Sequence, residues 1–185
     1  ILRLKPDSLA DADIADARRI ADALGIELHV LDRREIFRKS VIEPFVSEYL
    51  AARTPNPCVE CNAAIKFGVM LDYALEIGCD GIATGHYAKI EEKDGRFLLK
   101  RSESAKDQSY FLYRLNQFQL AHSMFPLEGM EKEKIREIAE KADLPVAKKG
   151  DSQEICFVPN DDYIAYLTAM GISSPKGNFI DKSGN

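Results

Sequence analysis

The chain of 185 residues has only four cysteines, too few for a disulfide scaffold, and no apolar run near the roughly 20 residues that a membrane helix needs. A reducing compartment keeps such thiols for chemistry or metal binding and makes any disulfide transient. The opening ILRLKPDSL lacks the long apolar stretch of a signal peptide. A cytoplasmic protein with no membrane partner is therefore expected. Positive charge is in short supply as well: the net charge of −5 excludes a wholly basic surface, while leaving room for a local face of Lys and Arg toward phosphate. A second C-x-x-C and a paired histidine are missing, so Cys58 and Cys61 lack the other half of a structural zinc site. There is no internal repeat and no low-complexity segment.

What is present is 45% hydrophobic and 30% charged, a composition that buries the core of one domain with an appendage. Residues 11–25 carry Ile14, Ala17, Ile20 or Ala21 and Leu24 at helical spacing, with Gly25 as the C-terminal cap. ELHVLD (27–32) reads as a strand, and 35–53 as a helix with a break or kink expected at Pro44. A further helix is predicted from Asn62, as its N-cap, to Gly78, followed by a strand over 79–90. Lys93-Asp94-Gly95 signals a hairpin that returns through FLLKR (97–101).

This alternation predicts an α/β fold with an open sheet over residues 1–100. Four helical patterns follow, DQSYFLYRL, NQFQLAHSMF, EKEKIREIAEKADL and DDYIAYLTAMG, and predict a small helical subdomain over 101–172. Residues 173–185 read as the start of a further, cut domain.

The chemistry-bearing stretch is TPNPCVECNAAIKFG (54–68). Its two thiols suit a metal clip, a redox pair or a catalytic thiol beside a bystander, and spacing leaves these open. Cys61, just before the helix expected from Asn62, is placed for the activation that a helix N-terminus gives a partly exposed thiol. Cys156 and Cys79, each against an apolar run, read by themselves as buried core cysteines. ATGHYAKI places Gly85 and His86 at the C-terminal end of a strand, where open α/β sheets bind ligands. KDQSYF (106–111) starts a helix with Asp107 as its cap.

Taken in order, NPCVECN-x-x-IKFG, ATGHYA, KDQSYFLY-x-L, FPL and DSQEICF resemble the tRNA-specific 2-thiouridylases of bacteria and organelles, from about residue 13 to 185. The resemblance implies an open parallel sheet of the adenine-nucleotide alpha hydrolase-like, ATP-pyrophosphatase type, and a β-rich domain that GNFIDKSGN would open. It implies replacement of O2 of the wobble uridine by sulfur. ATP with Mg2+ adenylates the oxygen, and a cysteine persulfide, charged by a sulfur-relay carrier or cysteine desulfurase, supplies the sulfur. By motif match Cys156 is the persulfide carrier and Cys61 its partner nucleophile. Asn56, Pro57 and Cys58 face the target base, and Gly85 approaches the nucleotide. His86, Lys106, Asp107 and Gln108 contact the anticodon stem-loop of tRNA.

In this family an SGGVDS-like phosphate loop is expected ahead of residue 1, so residues 1–185 alone are expected to be catalytically incomplete. Some relatives carry Asp where this chain has Cys58. Cys58, Cys61 and Cys156 together also match the ligand count for a [4Fe-4S] cluster with one open iron. The rivals are a 4-thiouridine or 2-thiocytidine enzyme, which NPCVECN followed by DSQEICF disfavours, and a non-catalytic RNA- or metal-binding remnant.

Overall fold

Asp94 and Gly95 both take positive φ, 52° and 72°, and so close the tight turn that their dipeptide signals. They join β4 (Ala88–Lys93) to β5 (Arg96–Arg101), antiparallel in the register Ala88↔Arg101 to Lys93↔Arg96. In the computed structural model residues 1–4, 7–144, 155–172, 177 and 180–183 are described. They fall into two units, Ile1–Asp151 and Ser152–Asn185. Residues 151–154 of the DSQEICF motif, and most of the tail expected to open a further domain, lie outside the described residues.

In the first unit, β1 (Leu2–Arg3) leads through helix α1 (Asp7–Leu24) to β2 (Leu31–Asp32), which pairs with β1 in parallel. Gly25 ends α1 at φ 65°, as its position predicts. The strand expected over 27–32 shortens to its last two residues.

Of the break or kink expected at Pro44, the break does not occur. Proline has no N–H, and its ring crowds the carbonyl four residues back. Here the preceding turn, Arg38–Ile42, opens to π-helical geometry between α2 (Arg34–Phe37) and α3 (Glu43–Leu50), and the helix runs on. Its inward stripe is Phe37, Val41 and Phe45, all buried. Each such side chain contributes about 1.5–3 kcal/mol of burial.

The next helix begins at Pro57, not at Asn62. It consists of α4 (Pro57–Cys61), a π-helical stretch Asn62–Met70 and α5 (Leu71–Glu76). Pro57 suits the first helical position because its missing N–H would have no partner there anyway. The π geometry also fits Gly68, where a Cβ would stand 3.2 Å from the Ala63 carbonyl oxygen.

After α5 the expected strand over 79–90 divides into β3 (Ile82–Ala83) and β4, with residues 84–87 between them. Strand β3 pairs in parallel with β6 (Ser123–Met124). The NQFQLAHSMF pattern is therefore half helix, α6 (Gln117–Ala121), and half strand. The two backbones meet so closely that a Cβ on Gly81 would lie 2.3 Å from the His122 carbonyl oxygen. DQSYFLYRL makes a single 3-10 turn, Ser109–Phe111, and α7 (Lys132–Lys141) follows β6. Phe67, Ala88, Leu112 and Phe125 form the core that joins the π-helix, the hairpin and β6.

The second unit contributes a 3-10 turn, Pro159–Asp161, and α8 (Tyr163–Ala169), capped by the Asp162 carboxylate, which accepts from the Ala165 N–H at 2.8 Å.

Candidate functional site

Because the helix starts at Pro57, Cys58 lies in its first turn and Cys61 one turn further in. The helix-start argument thus falls on Cys58, which is half-buried, while Cys61 is only 8% exposed. Asn56 precedes the helix and is exposed, and Pro57 is buried. Cys156 reverses its expected place as well: it is exposed, on a turn at the start of the second unit's described part. That turn is fixed by its neighbours. Val158 is buried and its N–H donates to the Ile155 carbonyl, and Phe157 stands against Tyr166 of α8 with ring centroids 5.7 Å apart. Cys79, expected in the core, is exposed too, since β3 begins three residues later than the strand predicted there.

Three links tie the segment 109–119 to the cysteine helix. Arg114 pairs with Glu60, which lies between the two cysteines. Asn62 Nδ2 donates to the Phe111 carbonyl at 3.3 Å. Gln119 Nε2 donates to the Ala63 and Phe67 carbonyls, at 3.3 and 2.9 Å. A widened helical turn spaces its carbonyls for such an outside donor. Gln119 is held in turn by its capping box with Asn116, in which each side chain accepts from the other's backbone N–H.

Asn62 is 2% exposed, and its Oδ1 has no hydrogen-bond partner. A buried acceptor left in that state costs about 1–3 kcal/mol. Read from sequence as a cap, Asn62 is instead a buried crosslink.

His86 is 9% exposed and packs between Phe67 and Phe125, with ring centroids 5.8 and 6.0 Å away. Its Nδ1 shares a hydrogen bond with the Thr84 hydroxyl at 2.7 Å. Burial, with the nearby Lys66 charge adding to it, pushes its pKa down to about 4. At neutral pH His86 is an uncharged imidazole, so it meets any ligand through a hydrogen bond and not as a cation.

Gly85 is exposed, and a Cβ there would make only an ordinary contact, 3.6 Å from Leu127. The chain's own packing therefore does not demand a glycine. Gln108 joins the next segment to this one: its backbone N–H donates to the Tyr87 carbonyl at 2.7 Å, and its Oε1 accepts from the Tyr87 N–H at 3.1 Å.

Asp107 organises the loop before the 3-10 turn. Its carboxylate accepts from the Ser102 N–H at 2.8 Å, from the Ser109 hydroxyl at 2.9 Å and from the Ser109 N–H at 3.4 Å. Burial pushes the Asp107 carboxyl up, but these hydrogen bonds and the Arg101 charge outweigh it and hold the group below the usual carboxylate range. Lys106 beside it is exposed. The first unit thus brings Cys58, Cys61, the His86 loop and the 106–111 segment onto one connected frame. Among the described residues no group of three or more His, Cys, Asp or Glu side chains gathers to hold a metal ion.

Of the exposed rings in segment 109–119, Phe118 stacks on His122 with centroids 4.4 Å apart, while Tyr110 and Tyr113 take no part in the three links. The two tyrosines are not singled out from the sequence, nor are Glu60, Arg114 and Gln119. The N-x-x-Q spacing of Asn116 and Gln119 is the one local signal that could have found a member of this set.

Residues 3–160 match the family model described as tRNA methyl transferase HUP domain. The chain is 55% identical over 94% of its length to the tRNA-specific 2-thiouridylase MnmA of Treponema denticola, covering 49% of that protein. It is 52% identical to the MnmA of Clostridium botulinum over 93% of its length, and 50% identical to that of Syntrophotalea carbinolica over 96%, covering 48% and 51% of them. The chain thus spans about half the length of the curated relatives it matches. The mixed helices and parallel strand pairs agree with an α/β domain of the HUP kind. The chain belongs to the tRNA methyl transferase HUP domain family, in which its motifs resemble those of the tRNA-specific 2-thiouridylases.

Proposed function

We propose that this chain carries the sulfur-handling half of an ATP-dependent enzyme that converts the wobble uridine of tRNA to 2-thiouridine. One observation carries the reading: identity of 50–55% to named 2-thiouridylases covers 93–96% of the chain, a span that takes in both Cys61 and Cys156. The frame around Cys61 adds to it, since a nucleophile acts best when its helix is fixed from outside.

The O2 of uridine is a poor leaving group. ATP, as co-substrate with Mg2+, makes it a better one by placing AMP on the oxygen with loss of pyrophosphate. Residues 1–185 contain no SGGVDS-like loop, so Gly85 is this chain's own contribution to the nucleotide. Gly85 is exposed and has no Cβ, which suits the close approach of such a ligand.

A sulfur-relay carrier or a cysteine desulfurase leaves a persulfide on Cys156. Its terminal sulfur attacks C2, and AMP departs with the C–O bonding pair. The Cys61 thiolate then attacks the Cys156 sulfur. The S–S bond to the base breaks, its electron pair forms the thiocarbonyl, and a Cys61–Cys156 disulfide remains for an external thiol to reduce. In the alternative order Cys61 attacks first and sets sulfide free to reach C2. Asn56, Pro57 and Cys58 face the base at the helix start, while neutral His86, Lys106, Asp107 and Gln108 meet the anticodon stem-loop. Loop bases are already unpaired, so presenting one costs less than flipping it from a duplex.

In domain terms, residues 1–100 serve as part of the nucleotide domain, 101–172 as the tRNA-contacting subdomain and 173–185 as the start of a β-rich domain. The test is to incubate the complete gene product with ATP, a sulfur donor and unmodified tRNA, digest the RNA and analyse the nucleosides by mass spectrometry. Formation of 2-thiouridine supports the reading. Formation of 4-thiouridine, 2-thiocytidine or a methylated base would replace it with another tRNA modification, and unchanged RNA would leave a binding remnant.

A further inference from the structure

We infer that Tyr110 and Tyr113 form a stacking platform for the unpaired nucleotides flanking the target base, an inference that rests on the function proposed above. In a short segment whose other apolar side chains turn inward, these two point out: Leu112 is buried and Phe111 half-buried, while Tyr110 and Tyr113 are 57% and 70% exposed. The exposure is organised. The Tyr110 ring leans on Phe111, with centroids 4.0 Å apart and planes at 37°, so one side is supported while more than half of the residue stays open.

The turn bearing these rings is fixed to the cysteine helix. The Phe111 carbonyl accepts from Asn62, next to Cys61, and Arg114 pairs with Glu60, between Cys58 and Cys61. The tyrosines therefore stand at a set position relative to the proposed reacting thiol, with little left to order on binding. A rigid ring with few rotatable bonds loses little entropy when a base settles on it.

Charge identifies the occupant. Arg101, which ends β5, keeps its side chain 84% exposed although it stands 3.8 Å from Asp107, Lys106 is exposed in the loop that follows, and Arg114, directly after Tyr113, stays 45% exposed while paired with Glu60. Exposed aromatic rings among cations match single-stranded RNA, whose bases stack while its phosphates meet the cations. A protein partner with an apolar face would have no use for the cations.

The experiment uses the complete protein and a synthetic anticodon stem-loop RNA, either intact or with abasic nucleotides flanking the wobble uridine. Dissociation constants are measured for wild type, Tyr110→Ala, Tyr113→Ala and Tyr110→Phe, with the melting temperature of each recorded. The expected result is about tenfold weaker binding for each alanine variant with intact RNA, near-wild-type binding for Tyr110→Phe, and no further loss when the abasic RNA meets the alanine variants. Unchanged affinity for intact RNA would overturn the inference. So would an equal loss with intact and abasic RNA, or a fall in melting temperature with no coupling to the bases, which would make the rings a packing surface. Thiolation by the wild-type protein is scored separately. Its failure rejects the proposed function, whereas the binding cycle alone decides the platform.

Discussion

Cys61 and Cys156 sit in opposite surroundings. Cys61 is buried inside a helix pinned by Arg114, Asn62 and Gln119, whereas Cys156 is exposed on a short turn held by Phe157 and Val158. The contrast fits the division of labour proposed for the two thiols. A thiol that must meet a sulfur donor and then a base gains from exposure, and a thiol that completes the reaction at one place gains from a fixed frame and exclusion of water.

The strongest way to break this comparison is to remove each thiol in the complete protein. Cys61→Ser and Cys156→Ser are both expected to abolish 2-thiouridine formation while leaving tRNA affinity within a few-fold, read by nucleoside mass spectrometry and filter binding. Retained turnover in either variant would contradict its role.

The frame itself is tested next. Gly81→Ala drives a methyl into the His122 backbone where β3 meets β6, and is expected to cost about 3 kcal/mol in urea unfolding. A cost near zero would mean that the backbones of Gly81 and His122 do not meet as closely as described.

A third test uses pH. The folded-state pKa of His86, about 4, lies below the value near 6.5 that an exposed histidine has. The unfolded chain therefore binds the extra proton first. The stability from keeping His86 neutral is complete above pH 6.5 and is lost progressively as pH falls toward 4, by roughly 3 kcal/mol in all. His86→Phe, among Phe67 and Phe125, should flatten the unfolding free energy over that window. An unchanged slope would assign the pH dependence to other groups.

The smallest effect belongs to the crosslink. Asn62→Ala should lower stability by about 1 kcal/mol through loss of the bond to Phe111, offset in part by removal of the unpaired Oδ1. A larger fall in thiolation than in stability would show that the link also positions Cys61.

Local signals were legible where local chemistry decides. The Asp94-Gly95 hairpin and the Gly25 helix end need only their own backbone preferences, and both occur as read. Asn62 was misread because Pro57 starts the helix earlier, and its partner, the Phe111 carbonyl, lies far along the chain. The π-helical stretch escaped for the same reason: the Gln119 amide that donates to its carbonyls is distant in sequence. Met124 looked like part of a helix because a two-residue strand leaves no periodicity, and only pairing with β3 reveals it. At the site, the motifs located the cysteines, but their burial depended on which residue opens the helix and on the turn beside Phe157.

The most direct test of the division of labour is to charge the complete Cys61→Ser protein with a sulfur donor and analyse its peptides by mass spectrometry without reductant. The account predicts one added sulfur atom on the Cys156 peptide, with no 2-thiouridine formed when ATP and tRNA follow. An uncharged Cys156 peptide, or 2-thiouridine made without the Cys61 thiol, would contradict it.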